Sequence, residues 1–275
     1  WNFIGCSSAI LRDQGVNVLL NIFYGPAVNA ARGIAVQVNT AINGFVVNFT
    51  TALNPQITKS YASEDYNTMF TLIYKGARFS YYLLLILSLP ILFETHYVLD
   101  LWLKNVPEHT VIFVRLIIIF SMCESISVPL ITAMMATGRI RNYQIIVGGL
   151  QMLNFPLSYI ALSLGYMPET TIVIMIVVSL MCLAARLYML KNMIMLNILN
   201  YVRKVLLNAL TVSCIALILP VILHNYMQED FLSFIIQSVV CIISSVFSVL
   251  LIGCSNQERE MVWNFIKKKI NDKVR

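Results

Sequence analysis

The sequence predicts an all-α fold, a polytopic bundle of transmembrane helices with eight spans. Hydrophobic residues make up 59% of the chain, charged residues only 12%, and the mean hydropathy is +0.77. Soluble domains, by contrast, carry about 25% charged residues. The apolar residues also fall into eight runs, each close to the ~20 residues that a membrane-spanning helix needs. Short polar or charged connections separate these runs.

The predicted spans follow one another along the whole chain and end in a basic tail. Gly25-Pro26 predicts a tight turn between the first two, because proline is well tolerated at the start of a helix. The connection 58–75 and the tail mix charged and apolar residues at roughly helical spacing, so each predicts a helix lying on the membrane surface. The predicted spans cover 2–24, 27–57, 76–103, 110–137, 143–165, 170–190, 205–226 and 231–253, and the tail covers 255–275.

Four prolines fall inside predicted spans three, four, five and seven. Each removes a backbone hydrogen bond, so each predicts either a hinge of a moving bundle or a static kink. These residues are Pro90, Pro129, Pro156 and Pro220.

The distribution of basic residues predicts the orientation of the bundle. Fifteen of the nineteen Lys and Arg residues lie in the even-numbered connections and the tail, whereas the odd-numbered connections carry only Lys104. Basic residues favour the cytoplasmic side, so both ends of this chain are expected there. The net charge of +6 is then explained by the anionic inner leaflet and predicts no nucleic-acid partner. The fifteen are Lys59, Lys75, Arg78, Arg139, Arg141, Arg186, Lys191, Arg203, Lys204, Arg259, Lys267, Lys268, Lys269, Lys273 and Arg275.

A polar stripe on the second span is the strongest functional signal. At 100° per residue its members fall within about one third of the helix circumference. One interpretation is that Asn and Thr join neighbouring helices by hydrogen bonds. The other, which we favour, is a water-filled, ligand-facing cavity. The stripe consists of Asn29, Arg32, Asn39, Thr40, Asn43, Thr50 and Asn54.

The first span adds a second polar face, formed by Asp13, Asn17 and Asn21 at intervals of four residues. Arg12 points about 100° away from Asp13, so the two are not expected to pair. Arg12 is therefore the best candidate for an anion contact, the alternative being a pair with an acid on another helix or in a missing half of the protein.

Asp13 and Glu124 are the acids nearest the predicted bilayer centre. Either one can exchange a proton as its environment alternates between wet and dry, and a counter-ion role is equally compatible. Arg115 and Glu124 lie on nearly opposite faces of span four, so each needs a partner on another helix.

Other chemistry finds little support in the sequence. Six cysteines lie in or beside apolar runs without CxxC spacing, which predicts small buried hydrophobes rather than disulfides or metal ligands. The three histidines lack ligand spacing. No phosphate-binding loop or nucleophile elbow is present, so we expect no enzyme activity, no cofactor and no metal.

Residues 24–62, YGPAVNAARGIAVQVNTAINGFVVNFTTALNPQITKSYA, resemble the polysaccharide-export flippases of the multidrug/oligosaccharidyl-lipid/polysaccharide superfamily, the Wzx-type O-antigen transporters. The stretches ETHYVLDLWL at 94–103 and PLITAMMATGRIRNYQ at 129–144 also resemble that family. The resemblance covers essentially the whole chain.

This resemblance implies a MATE-like fold of fourteen helices in two six-helix lobes plus a terminal pair. Residues 1–200 would be the second lobe, 201–253 the terminal pair and 254–275 a basic cytoplasmic tail. The chain starts at Trp1 already inside a predicted span, so it is expected to be the C-terminal part of a longer protein whose N-terminal lobe packs against it.

The implied function is flipping of polyprenyl-pyrophosphate-linked oligosaccharides across the bacterial inner membrane by alternating access, coupled to H⁺ or Na⁺. The expected cavity residues are Arg12, Asn17, Asn21, Asn29, Arg32, Asn39 and Asn43, with Asp13 and Glu124 as coupling candidates. The alternatives are a cation-coupled drug exporter of the same superfamily, a membrane-embedded enzyme acting on lipid-linked sugars, and a non-transporting scaffold.

Overall fold

A computed structural model describes residues 2–226, 230–260 and 263–264, and throughout these ranges the chain is helical with short turns and no β-strand. The all-α prediction is confirmed. The helices are α1 Asn2–Tyr24, α2 Pro26–Ala62, α3 Tyr66–Phe93, α4 Thr95–Trp102, α5 Thr110–Ala136, α6 Ile140–Met152, α7 Asn154–Ser163, α8 Thr170–Ile194, α9 Ile198–Tyr201, α10 Asn208–His224 and α11 Phe231–Ser248.

Six stretches of the described chain are long and apolar enough to cross a bilayer, and they correspond to predicted spans three to eight. These six indicate a membrane protein. Helices α1 and α2 are long enough, but their polar residues keep their hydropathy below that of a membrane span. The six stretches are Tyr66–Phe93, Thr110–Ala136, Ile140–Ser163, Thr170–Ile194, Ile198–His224 and Phe231–Gly253.

The surface helix predicted over 58–75 is wrong. Helix α2 continues to Ala62 and α3 begins at Tyr66, so the connection is a three-residue turn. The Asp65 carboxylate caps α3 by accepting a hydrogen bond from the Thr68 backbone N–H at 3.1 Å, as aspartate does at many helix starts. Two apolar residues of this stretch, Met69 and Ile73, are completely buried in the bundle.

Only one of the four interior prolines coincides with a break in its helix. Predicted span five divides into α6 and α7 at Leu153. The ring of Pro156 conflicts with the carbonyl four residues earlier, that of Met152, which is the last residue of α6. Span three, in contrast, runs through Pro90 and ends only at Glu94, after which α4 forms a separate short helix.

The last two spans each contain a π-helical stretch. Val202–Leu207 joins α9 to α10, so span seven starts at Ile198, earlier than predicted, and Val249–Gly253 ends span eight. The predicted surface helix of the tail falls largely on residues 261–262 and 265–275, outside the described residues.

Helix packing divides the bundle into connected groups. Helix α2 packs most extensively against α5 and α3, while α1 packs against α6 and α7. Helix α8 contacts both α5 and α6, and α10 and α11 pack against each other and against α3. The two polar helices, α1 and α2, therefore lie next to each other on one side of α5 and α8.

Candidate functional site

A cavity of about 530 Å³ lies between α1, α2, α5 and α8. Seven of the nine predicted site residues line it, together with Gln14, Phe120, Ser121 and Met175. The seven are Arg12, Asp13, Asn17, Arg32, Asn39, Asn43 and Glu124.

Arg12 pairs with its sequence neighbour, so the expectation that it must find a partner elsewhere is wrong. Its Nε lies 3.0 Å from Asp13 Oδ1 and its Nη2 lies 3.1 Å from Asp13 Oδ2. The guanidinium also lies over the Phe120 ring, 5.5 Å from its centroid. The helix angle describes where the two Cβ atoms point, but the long arginine side chain bends far enough to make a two-point contact with the carboxylate.

Arg32 is the cation of the cavity that lacks an acidic partner. It is only 4% exposed, and its Nη1 donates to Asn17 Oδ1 on α1. Its Nε has no hydrogen-bond partner among the described residues, and no described carboxylate lies within ion-pair distance. A buried guanidinium without a counter-ion is costly, so the site favours an anionic group or ordered water beside Arg32.

Glu124 finds its partners on α8, as its position on α5 predicts. Its Oε1 accepts a hydrogen bond from Ser179 Oγ and lies 4.0 Å from Arg186 Nη1. Arg186 is 1% exposed, which corrects its assignment to a loop facing the inner leaflet. The signal was available in the sequence, because apolar residues surround Arg186 on both sides within predicted span six.

The polar stripe of α2 serves both predicted purposes, one at each end. Asn39 and Asn43 border the cavity, and Asn43 Nδ2 donates to Ser121 Oγ at 3.4 Å. Further along, Asn54 Oδ1 accepts from Thr132 Oγ1 of α5 at 2.8 Å, and Thr50 hydrogen-bonds backbone carbonyls of α2. The stripe is therefore a cavity wall near Asn39 and a helix-to-helix contact near Asn54.

Two predicted cavity residues do not line the cavity. Asn21 is exposed near the end of α1. Asn29 is half-buried, and its Oδ1 has no described hydrogen-bond partner. Both lie nearer to the α1–α2 turn than the cavity residues do, because the cavity begins about one helical turn further from that turn.

The formal charges of the side chains that line the cavity sum to zero, but one acid is shared with an arginine outside the lining. Two arginines and two acids contribute, and the Arg12–Asp13 pair and the Glu124–Arg186 contact leave Arg32 as the unneutralised cation. Amide side chains of Gln14, Asn39 and Asn43 offer both donors and acceptors. This arrangement can bind a ligand that combines one negative group with many hydroxyls.

The histidines pair with carboxylates at the opposite end of the spans from the basic connections. His109 Nδ1 lies 2.5 Å from Glu169 Oε1. Two further pairs, His96–Asp100 and His224–Glu94, have N–O distances of 2.7 and 3.4 Å. Among the described residues no group of His, Cys, Asp and Glu is placed to hold a metal ion.

The remaining polar and cysteine predictions have mixed outcomes. Arg115 Nε donates to Thr95 Oγ1 at 3.2 Å, a partner on another helix as predicted. The five cysteines with described side chains are free. Cys182, Cys241 and Cys254 are buried as predicted, whereas Cys214 is exposed on α10.

No protein-family model, curated protein or solved structure matches this chain.

Proposed function

We propose that the chain is part of a flippase that moves polyprenyl-pyrophosphate-linked oligosaccharides across the bacterial inner membrane by alternating access. The observation that carries this proposal is the cavity of about 530 Å³ in which Arg32 is buried with no described carboxylate within ion-pair distance. A pyrophosphate or an acidic sugar supplies the missing anion, and the asparagines hydrogen-bond sugar hydroxyls. Arg12 is a weaker anion contact in this proposal, because Asp13 neutralises its charge.

We further propose that α1 and α2 cross the membrane, which makes eight spans in all. Their low hydropathy then follows from facing a cavity and not lipid. The exposed side of α2 supports this, since Gln37 and Asn48 lie there about three turns apart and polar groups are unfavourable against hydrocarbon. A second lobe of the transporter covers this side and closes the cavity.

The two carboxylates at the cavity support coupling to H⁺ or Na⁺. Glu124 changes partners most readily, because Ser179 and Arg186 both approach the same oxygen, Oε1. Protonation of Glu124 weakens its contact with Arg186, which links a proton to the packing of α5 on α8. The positive-inside rule places the basic end of the bundle in the cytoplasm in this proposal.

The test is a flipping assay in proteoliposomes containing the full-length protein and a fluorescent polyprenyl-pyrophosphate-linked saccharide. Arg32→Ala is expected to slow flipping about 100-fold, because truncating one partner of a buried charged contact typically costs 2–5 kcal/mol, roughly 30-fold or more. Arg12→Ala is expected to have a smaller effect, about tenfold, because removing it also frees the Asp13 carboxylate.

Arg139→Ala is the matched control, since Arg139 is an exposed arginine outside the cavity. The Arg139→Ala variant should flip the lipid-linked saccharide at the wild-type rate. If the Arg32→Ala variant is present at normal abundance and flips the saccharide at the wild-type rate, Arg32 is not part of the binding site and the proposal is contradicted.

A cation-coupled drug exporter is the second candidate, and the acids at the cavity favour it. Asp13 is 45% exposed at its side chain, and Glu124 is 24% exposed, so both are accessible to a cationic ligand. Resistance of expressing cells to cationic dyes separates the two functions. The flippase predicts no change in dye resistance, whereas the exporter predicts a gain that Asp13→Asn or Glu124→Gln abolishes.

A further inference from the structure

A second cavity, of about 490 Å³, lies at the basic end of the bundle, away from the candidate transport site. Three separate parts of the chain form it: the start of α3, the stretch from α9 into α10, and the residues that follow α11. Its lining residues are Thr71, Tyr74, Lys75, Arg78, Asn200, Arg203, Lys204, Asn208, Ser255 and Glu258. We call it the basic pocket.

One wall of the basic pocket is held rigidly by ion pairing. The Arg78 guanidinium donates from Nη2 to Glu258 Oε1 at 2.9 Å and from Nη1 to the Gly253 carbonyl at 3.0 Å. Lys75 Nζ lies 3.6 Å from the same carboxylate, and the Ser255 backbone N–H donates to Glu258 Oε2 at 2.8 Å. Glu258 is only 5% exposed, and Arg78 and Lys75 neutralise its charge within this wall.

The opposite wall carries cations that no acid neutralises. Arg203 and Lys204 are both exposed, and within the part of the chain that the structure describes neither has a carboxylate within ion-pair distance. Lys204 Nζ lies over the Tyr74 ring, 5.7 Å from its centroid. The pocket thus contains four basic side chains and one acidic side chain, a formal charge of +3 by subtraction.

The pocket lies toward the ends of three apolar stretches, a position that suits lipid headgroups. The apolar stretches Tyr66–Phe93 and Ile198–His224 begin at it, and Phe231–Gly253 ends at it. Beside the pocket, Leu207 at the end of the π-helical stretch and Leu210 on α10 are apolar side chains that are 51% and 59% exposed. A ligand held here has its charged group among cations and apolar surface next to it.

We propose that the basic pocket binds the phosphate group of an anionic phospholipid. Arg203 and Lys204 contact the phosphate, the Arg78–Glu258 wall forms the other side of the pocket, and the acyl chains lie along Leu207 and Leu210. Basic pockets between transmembrane helices are suited to anionic headgroups in this way. The bound lipid adds a further link between α3 and the two terminal helices, α10 and α11, which already pack against it.

The experiment measures lipid binding to the purified full-length protein by native mass spectrometry, with phosphatidylglycerol as the probe and phosphatidylcholine as the neutral comparison. Wild-type protein should bind phosphatidylglycerol preferentially. Arg203→Gln/Lys204→Gln is expected to raise the Kd for phosphatidylglycerol about 30-fold, and Lys204→Gln alone about fivefold, from the usual contribution of each basic residue near anionic lipid.

The matched control is Lys59→Gln/Arg139→Gln, which also removes one lysine and one arginine, both exposed and both outside the pocket. It should change the Kd less than about threefold. The exchanged variant Arg203→Lys/Lys204→Arg keeps both charges and should bind as wild type, which distinguishes lost charge from lost folding. If the double glutamine variant does not fold, Lys204→Gln and the exchanged variant decide the question.

Several results overturn the proposal. Equal binding of phosphatidylglycerol and phosphatidylcholine would show that the pocket does not select charge. An unchanged Kd in the Arg203 and Lys204 variants would place the lipid elsewhere. Competition by glycerol 3-phosphate as strong as that of the intact lipid would identify a soluble phosphate ester as the ligand.

Discussion

Two helix pairs in this molecule use polar residues in opposite ways: α1 with α2, and α10 with α11. In the terminal pair, polar side chains bond the neighbouring backbone, as Ser244 Oγ does with the Ala216 carbonyl at 2.8 Å and Gln237 Nε2 with the Pro220 carbonyl at 2.9 Å. In α1 and α2, Arg32 and Asn39 border a cavity, and Arg32 Nε has no hydrogen-bond partner within the part of the chain that the structure describes.

The comparison shows which polar residues indicate a site in a membrane bundle. The spans that contain α10 and α11 both have a hydropathy of 2.5 and only 28% buried residues, because most of their surface is apolar and outward-facing. Several of their polar groups bond the backbone of the partner helix, although Gln237 Oε1, Ser238 Oγ and Ser245 Oγ have no hydrogen-bond partner among the described residues. Polar residues therefore indicate a site when charged and amide side chains from several helices border one cavity, as Arg32, Asn39 and Glu124 do.

The largest expected effect on stability comes from Arg186, because it contacts the cavity residue Glu124. Arg186→Ala should lower the free energy of unfolding by about 3 kcal/mol, because it leaves Glu124 without its cation in a largely buried position. Denaturant titration in detergent measures this loss.

Two controls accompany the Arg186 variant. Glu124→Gln/Arg186→Met removes both charges and should recover more than half of the loss, since apolar replacement of a buried pair is often nearly neutral. Arg139→Ala should change stability by less than about 0.5 kcal/mol. A loss below about 1 kcal/mol in Arg186→Ala would mean that water already solvates Glu124.

The second-largest effect on stability is expected from Glu258, because its ion pair with Arg78 connects the chain after α11 to α3. Glu258→Gln should destabilise the protein by about 2 kcal/mol, because hydrogen bonds to charged groups are worth about 1.5–3 kcal/mol. Glu260→Gln, an exposed acid two residues away, is the control and should change little.

The Glu258 contribution should also depend on pH. Burial opposes ionisation of Glu258, but the Ser255 backbone N–H and the charge of Arg78 outweigh it, so the pKa of Glu258 lies below its ordinary value of 4.5. A lowered folded-state pKa stabilises the protein above the ordinary value, and this stability is lost as pH falls through the folded-state pKa. The difference in Tm between wild type and Glu258→Gln should therefore be constant near neutral pH and shrink in acid. A difference that grows in acid would contradict the assignment.

The third prediction compares the two ends of the α2 stripe. Asn54→Ala should cost about 1 kcal/mol of stability, because it removes the acceptor of Thr132, and should leave flipping unchanged. Asn39→Ala should change stability by less than about 0.5 kcal/mol and slow flipping. If the two variants exchanged these effects, the cavity would lie at the other end of the stripe.

The smallest expected effect lies in the terminal pair. Ser244→Ala should destabilise by about 0.6 kcal/mol, the typical value for an interhelical hydrogen bond in a membrane protein. Ser248→Ala is the matched control, because its hydroxyl donates to the Ser244 carbonyl within α11 at 2.7 Å, and it should be nearly neutral. Thermal unfolding of both variants checks the difference.

Local patterns predicted much of this architecture correctly. The first span matches α1 end to end, and the Pro156 break and the opposite placement of Arg115 and Glu124 on α5 also follow from local rules. The errors arose where the composition of a short stretch was used to predict its position in the tertiary structure. A mixed stretch such as 58–75 matches a surface helix in composition, yet the same residues pack well when two long helices meet at a tight turn.

The sequence by itself determined that this protein is helical, that at least six of its segments suit a bilayer, and that its polar residues concentrate in the first two helices. These properties depend on residues close together in the chain. Only the tertiary structure decided that Arg12 pairs with Asp13, that Arg186 is buried beside Glu124, and that Arg32 has no acid beside it among the described residues. The physical reason is that helical periodicity gives the direction of each Cβ atom, whereas pairing depends on the reach of a long side chain and on which distant helix faces it.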